Sequence, residues 1–537
     1  MTSKPLKSFN IVGTCNPNEH YMVPAAARLP NVSGMIDSKS YFVLHAPRQS
    51  GKTTCLFALT NKINAEGQYY ALNCSLAPLS GLKDANVAMR EIVGQINAGL
   101  LSSRVGVLNN LAYAFDDKSF MDYQSSKVRL PLNALSLALE KELVVFFDEA
   151  DCLNEEPLIR FLAQIRDGYL ARADSPATKF PRSLALIGTR KISDYRDKVR
   201  PSDESIGDGG PFNITMEPMK LANFTLEEIN ALYGQRAAET GQTFEPKAVE
   251  RAWYWTEGQP WLVNALAYHV IVRLFGNDCS KTVTGSDIDK AAQALILREE
   301  NHFTSLFKRL KEPRVKKVIE PVILDGGRIP NEIAEADKDY VVDIGLLKKD
   351  PAEGGPFKPS NPIYGELIVR AMTAKFKEDV PKTLENKWMD GTKLDMNRLL
   401  KAFQAYWREN SQIALKSDST DSAGLANEAT AHLVLYAFLQ RVMNGGADFI
   451  QREYPLGKTK ADICVCYKEI RYPLELKIKG ALSQKQSLER LSSYMDKCGS
   501  SQGWLIVFDK DFTKSWEKKL FRKIYKRDGK TMYVVGC

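Results

Sequence analysis

The sequence predicts an α/β multidomain chain, with a parallel sheet flanked by helices in its first half and a smaller mixed α/β domain at its end. Three observations carry this. A short apolar run of β-formers, Tyr41 to Leu44, leads into a glycine-containing loop and a helix. A second, fully apolar run ends in Asp148-Glu149. From Ala426 onward the pattern reads helix, three strands, helix, strand, with Asp462, Glu475 and Lys477 on the strands.

The first stretch is YFVLHAPRQSGKTT. Ala46-Pro47-Arg48-Gln49-Ser50-Gly51-Lys52-Thr53 keeps the spacing G-x-x-x-x-G-K-[ST], with alanine in the first position, and Thr54 follows. Gly51 lets backbone N–H groups approach phosphate oxygens. Lys52 supplies a point charge for the β/γ-phosphates, and Thr53 a hydroxyl ligand for Mg2+. A helix starting near Gly51 adds its N-terminal dipole. The alanine costs little, because only one position loses φ freedom.

The second strand lies roughly 100 residues on, enough for two βα units of a doubly wound sheet. Asp148 would hold Mg2+ and Glu149 would polarise the attacking water. Gln68 to Cys74 reads as another strand, residues 80–135 as broken helix, and Glu156 to Leu170 as a helix. A further apolar strand runs from Ser183 to Arg190. Its polar tip, Arg190 or Thr189, is placed to sense a γ-phosphate. Upstream, Pro24, Pro30 and an alanine triplet make residues 1–40 a loop, with His20, Tyr21 and Arg28 as candidates for packing on a nucleotide base.

Residues 196–218 read as a Gly/Asp/Pro-rich loop, and Phe224 to Gly241 as a helix capped by Thr225. Helix, helix, hairpin and helix over 314–324, 330–347 and 356–371 form a winged-helix pattern, which either binds DNA or serves as an internal lock. Few basic residues on 337–347 favour the lock. Residues 375–425 read as a polar helical connector ending in SDSTDSAG.

The last constellation is spread over two strands. Residues i and i+2 of a strand share a face, so Glu475 and Lys477 project together. Asp462, on the preceding strand, joins them if the two strands pair as a hairpin. Two carboxylates can hold a Mg2+ that activates water, and a neighbouring lysine can orient that water. Glu428, on the helix before, could add a third carboxylate.

The 537 residues are 44% hydrophobic and 26% charged, the make-up of a folded, water-soluble chain of three or four domains. No apolar run approaches the ~18 residues of a membrane span, and the first ten residues hold no apolar leader. Nine scattered cysteines without a C-x-x-C suggest reduced thiols and a cytoplasmic setting. Residues 450–537 hold 19 Lys/Arg against 10 Asp/Glu, a surplus of +9 that exceeds the whole chain's +8. That surplus points to a polyanionic partner, most simply nucleic acid.

Taken together, the chain resembles bacterial AAA-like ATPases of the signal-transduction (STAND) type fused to a C-terminal PD-(D/E)xK nuclease domain. The carriers include HYMVPAAARLP, YFVLHAPRQSGKTT, VVFFDEAD, FPRSLALIGTR, TEGQPWLVNALA, YVVDIGLL, LGKTKADI and LELKIKG. The resemblance implies an N-terminal segment on the nucleotide site (1–40), a P-loop NTPase core (41–219), a helical lid (220–300), a winged helix (301–375), a helical linker (376–425) and a restriction-endonuclease-like domain (426–537). It implies that Gly258-Gln259-Pro260 is a GxP element whose Pro260 meets the base, and that Asp462, Glu475 and Lys477 are the nuclease triad. It further implies ATP and Mg2+ as cofactors, DNA as the favoured nucleic-acid partner, no membrane, and nucleotide-dependent homo-oligomers. The expected function is an ATP-controlled nuclease acting on foreign or mobile DNA. The alternative is a signalling or scaffold ATPase whose last domain binds nucleic acid without cutting. Two departures stand out. Lys191 follows Arg190 where relatives often have Asp, and Arg490 stands four residues before Tyr494 where relatives often have Gln.

Overall fold

The apolar run Tyr41 to Leu44 is withdrawn from water, and β1 (Tyr41–His45) is buried along its whole length. So are β3 (Leu143–Asp148) and β4 (Ser183–Gly188), while β2 (Tyr70–Ser75) and β5 (Met216–Lys220) complete the sheet. All neighbours are parallel, in the order β2-β3-β4-β1-β5. The computed structural model describes residues 6–29, 31–112, 126–153, 155–174, 178–189, 216–297, 301–324, 329–349, 355–378, 388–390, 393–415, 426–442, 449–456, 459–467, 470–479, 483–509, 511 and 513–537.

Alternation along these strands makes two cores. Val145, Phe147, Leu184 and Leu186 pack with Met89, Ile92 and Ile96 of the helix Ala85–Ser102 and with Phe161 and Ile165 of the helix Glu155–Asp174. Phe42, Leu44, Val144, Phe146, Ala185 and Ile187 face the other way, onto Leu56, Leu59 and Ile63 of the helix Lys52–Glu66. Residues 216–218, read from sequence as loop, lie in β5. Its Pro218 is tolerated because β5 is an edge strand with one ladder to satisfy.

The chain divides into two units, 1–292 with 335–346, and 293–334 with 347–537. The first unit also contains the helices Leu226–Thr240, Pro246–Thr256 and Pro260–Tyr268. Thr225 caps the first of these, in a reciprocal capping box with Glu228. The pieces of the expected winged helix are present as elements: the helices Pro313–Leu324, Glu335–Asp343 and Pro362–Glu378, and the hairpin of β6 (Leu347–Lys349) and β7 (Phe357–Pro359). The helix Glu335–Asp343 packs with the first unit and the others belong to the second.

In the second unit, β8 (Met389–Asp390) and β9 (Lys393–Leu394) form a small ribbon. The main sheet holds β10 (Phe449–Leu456), β11 (Thr459–Tyr467), β12 (Ile470–Ile478), β13 (Gln502–Phe508), β14 (Arg522–Arg527) and β15 (Lys530–Gly536). Its order is β10-β11-β12-β13-β15-β14, with β12, β13 and β15 parallel and the outer strands antiparallel. The hairpin β14–β15 adds two strands to the four read from sequence.

The polar connector expected over 375–425 is not what the helix Met396–Leu415 forms. Leu399, Leu400, Phe403, Tyr406 and Trp407 are buried in one core with Phe438, Leu474, Leu476 and Phe508. Its exposed face supplied the polar impression. The SDSTDSAG segment lies outside the described residues. Removing the Phe403 ring, which stacks edge-on against Phe438 and Phe508, is expected to cost about 3–5 kcal/mol. Denaturant unfolding of Phe403→Ala should show this as an earlier transition of the second unit; an unchanged midpoint would refute the packing role.

Candidate functional site

The loop after β1 wraps around a buried ammonium. Lys52 Nζ donates to the carbonyl oxygens of Ala46 and Pro47, at 2.7 and 2.8 Å. Burial lowers its pKa to about 8, with Asp151 and Asp148 pulling the other way. Left-handed backbone falls at Gln49 (φ 60°) and Gly51 (φ 86°) and not at Ala46, so alanine fits the first position of the motif. Ser50 is buried, and Arg48 and Gln49 are exposed.

Thr53 Oγ1 donates to Asp148 Oδ2 at 2.7 Å, which joins the two halves of the expected Mg2+ site. This hydroxyl–carboxylate pair is the donor set a hard cation takes. Burial raises the Asp148 carboxyl against the bond from Thr53. Glu149 follows in left-handed backbone (φ 57°), a strained conformation for a non-glycine residue. Burial, then Asp148 and Asp151, raise its carboxyl as well.

Asp151 was not singled out from the sequence, yet it orders the tip of β4. It accepts from the Thr189 amide at 3.0 Å and from the Thr189 hydroxyl at 2.6 Å, and a side chain at Gly188 would collide with it. Thr189 is therefore turned to Asp151. Arg190 lies outside the described residues.

Contacts from distant sequence close on the same loop. Cys15 N donates to Thr54 Oγ1 at 3.2 Å. Arg28 Nη1 donates to Ser50 O at 3.4 Å, and its guanidinium lies over Phe224. Of the other N-terminal candidates, Tyr21 is turned to Glu239 at 2.5 Å, and His20 accepts from Asn16 N within a local turn. At the turn Gly258-Gln259-Pro260, Gly258 adopts φ 74° beside the Phe224 carbonyl, where any side chain would clash. Pro260 is buried as the first residue of its helix, and Gln259 Nε2 reaches the Gln49 carbonyl at 3.3 Å.

The sequence reading also missed His45, Asp343 and Gly345. His45 Nε2 lies 3.9 Å from Asp343 Oδ1, both side chains being buried. A side chain at Gly345 (φ 80°) would strike Pro47. No local pattern marks such pairs; the only hint was an imidazole inside an otherwise apolar strand.

The second constellation sits on β11 and β12. Ile463 pairs with Leu474 in that antiparallel ladder, so the register sets Asp462 opposite Glu475. Leu474 and Leu476 enter the core beneath, which sends Glu475 and Lys477 to the other face, under the helix Gln484–Cys498. Lys477 Nζ lies 3.2 Å from Glu475 Oε1 and 3.8 Å from Asp462 Oδ2. Asp462 Oδ2 also accepts from Leu476 N at 2.8 Å. Arg490 Nη1 lies 3.9 Å from Glu475 Oε1, so it presents a donor to the site.

Glu475 is 1% exposed, and neither carboxylate oxygen accepts a well-aligned hydrogen bond. Burial, then the Asp462 charge, push its pKa up to about 7, against Lys477 and Arg490. A buried carboxylate with unsatisfied oxygens facing a second carboxylate suits a divalent cation. The two acids are short of a full ligand set, and no cluster of three or more metal-ligating side chains occurs among the described residues. Glu428 lies in the helix Ala426–Val442, with its side chain outside the described residues.

No protein-family model matches the sequence, and no curated protein matches it. Several solved structures are similar. The Walker-type ATPase PABY2304 of Pyrococcus abyssi is 14% identical over 67% of this chain and 99% of that one, with a TM-score of 0.46. The Aeropyrum pernix ORC2 protein is 13% identical over 68% and 96%, with a TM-score of 0.39. The Thermotoga maritima RuvB Holliday junction branch migration motor is 15% identical over 60% and 90%, with a TM-score of 0.32.

Two titrations test these geometries. At pH 8 Lys52 is about half charged, so a polyphosphate that restores its ordinary pKa draws in roughly half a proton. Calorimetry of ATP binding in two buffers of different ionisation enthalpy should show uptake at pH 8 that vanishes at pH 6; no buffer dependence at pH 8 would contradict the buried ammonium. Glu475 has a raised folded-state pKa, so its contribution is intact below about pH 4.5 and is lost as pH rises through about 7. In EDTA, Glu475→Gln should stabilise the second unit at pH 8 relative to pH 5 by roughly 2–4 kcal/mol over wild type, read from denaturant midpoints. Equal pH profiles would refute the buried charge.

Proposed function

We propose that this chain is an ATP-binding and ATP-hydrolysing switch that controls a metal-dependent nuclease acting on DNA, in defence against foreign or mobile DNA. The nuclease half rests above all on Glu475, a buried carboxylate only partly answered by Lys477 and set beside Asp462 on one sheet face. Asp462 and Glu475 would hold a Mg2+, which supplies an activated water and charge neutralisation at the scissile phosphate. Lys477 orients the water, and Arg490 engages a phosphate oxygen. The +9 surplus of residues 450–537 draws the polyanion to this domain.

In the nucleotide half, Lys52 engages the β/γ-phosphates, Thr53 and Asp148 would hold Mg2+, and Glu149 polarises water. Arg190 is proposed as the γ-phosphate sensor and Pro260 as a base contact. Control is supported by the segment 335–346. Its chain neighbours on both sides belong to the second unit, while its Asp343 and Gly345 pack on His45 and Pro47 at the start of the P-loop. A change in the loop on nucleotide exchange reaches that segment through these contacts.

The test incubates wild type, Glu475→Ala and Lys52→Ala with plasmid and single-stranded DNA, with Mg2+ or Mn2+, and with or without ATP. Wild type should cut only with the divalent cation and in a nucleotide-dependent manner. Glu475→Ala should lose on the order of a hundredfold or more, and Lys52→Ala should lose the response to ATP. Retained DNA binding with no cleavage under any condition would sink the nuclease and leave an ATPase whose last domain only binds nucleic acid.

A further inference from the structure

Three thiols that neither site uses meet beside Asp462. Ile463 and Val465 enter the core beneath the sheet, so Cys464 and Cys466 leave β11 on the face that carries Asp462. Their sulfurs are 3.9 Å apart. Cys498 is the last residue of the helix that covers this face, and it is hydrogen-bonded to the Cys464 thiol. Cys464 is buried, Cys466 and Cys498 are partly exposed, and all three are reduced.

We propose that Cys498 and Cys464 are a redox site, closing to a reversible disulfide under hydrogen peroxide and stapling the helix Gln484–Cys498 to β11. The choice of pair follows from geometry. Residues two apart on a strand have Cα atoms about 6.6 Å apart, at the outer edge of what a disulfide spans, and their side chains run parallel. The strand-to-helix pair has no such restriction, because its two residues come from different elements and their thiols are already in hydrogen-bond contact. Cys498 is also the reactive member: its hydrogen bond with Cys464 holds its thiol below the ordinary value, and it has access to solvent.

The chemistry balances. The Cys498 thiolate attacks one peroxide oxygen, an S–O bond forms and the O–O bond breaks, and the departing hydroxide takes a proton to leave as water. Cys464 then gives up its proton and attacks the Cys498 sulfur. An S–S bond forms, the S–O bond breaks, and a second water leaves. Two thiols are oxidised by two electrons in all, and one peroxide is reduced to two waters. The same helix carries Arg490, and β11 carries Asp462 two residues before Cys464, so the staple ties together both sides of the acidic site. Any effect on cleavage rests on the proposed function; the bond itself does not.

The test is read by mass. Full-length protein is treated with peroxide, alkylated, and digested with trypsin without reduction. The expected product joins peptides 461–468 and 498–510, is lighter than their sum by two hydrogens, and fragments to a Cys464–Cys498 link. It should vanish with dithiothreitol and in Cys498→Ser, and persist in Cys466→Ser. A link between Cys464 and Cys466, loss of the link in Cys466→Ser, or full alkylation of Cys464 after peroxide would each overturn the proposal.

Discussion

Lys52 donates to the carbonyl oxygens of Ala46 and Pro47, and this ring of bonds sets the shape of the P-loop. An ammonium taken out of water needs acceptors, and the loop supplies two of its own carbonyls while the charges of Asp148 and Asp151 act on it through space. The consequences run outward. Gln49 and Gly51 take up left-handed backbone so that the loop can close. Asp148 is held by Thr53, and Asp151 in turn holds the tip of β4 through Thr189. Gln259, Arg28 and Gly345 then settle against the loop from three distant parts of the chain.

The C-terminal constellation meets the same cost differently. Here the charge left short of partners is negative. Strand alternation forces Glu475 out of the lower core and under a helix, where the lysine and arginine nearby only partly offset its burial. The neighbouring residues of β12, Leu474 and Leu476, make the arrangement rigid by anchoring the strand in an extensive apolar cluster. A cation between the two acids would offset that buried charge.

Much of this was legible from local pattern. Continuous apolar runs located β1, β3 and β4, because strands covered on both faces have no polar positions to confuse the reading. The i, i+2 rule put Glu475 and Lys477 on one face before any partner strand was known. What failed did so for reasons of packing. The helix Met396–Leu415 looked polar because its other face carries the polar residues, yet Phe403 and Trp407 fill the C-terminal core. Met216–Lys220 looked like loop because of Pro218, which an edge strand accommodates. Arg522–Arg527 carries no alternation of polarity, since as the edge strand of its sheet it is exposed along most of its length and its charges guard an open edge.

Local spacing settles the chemistry on offer: a phosphate loop, an acidic strand end, and a carboxylate–lysine set with a basic surround. Those depend on covalent spacing and on the fixed periods of helix and strand, which any reader of the chain can apply. Only the tertiary structure decided which groups meet. It brought Asp343 to His45 across almost 300 residues, set Gln259 against Gln49, placed Arg490 over Glu475, and gathered Cys464, Cys466 and Cys498 into one cluster. Such meetings are fixed by how faces pack, and no local pattern encodes them.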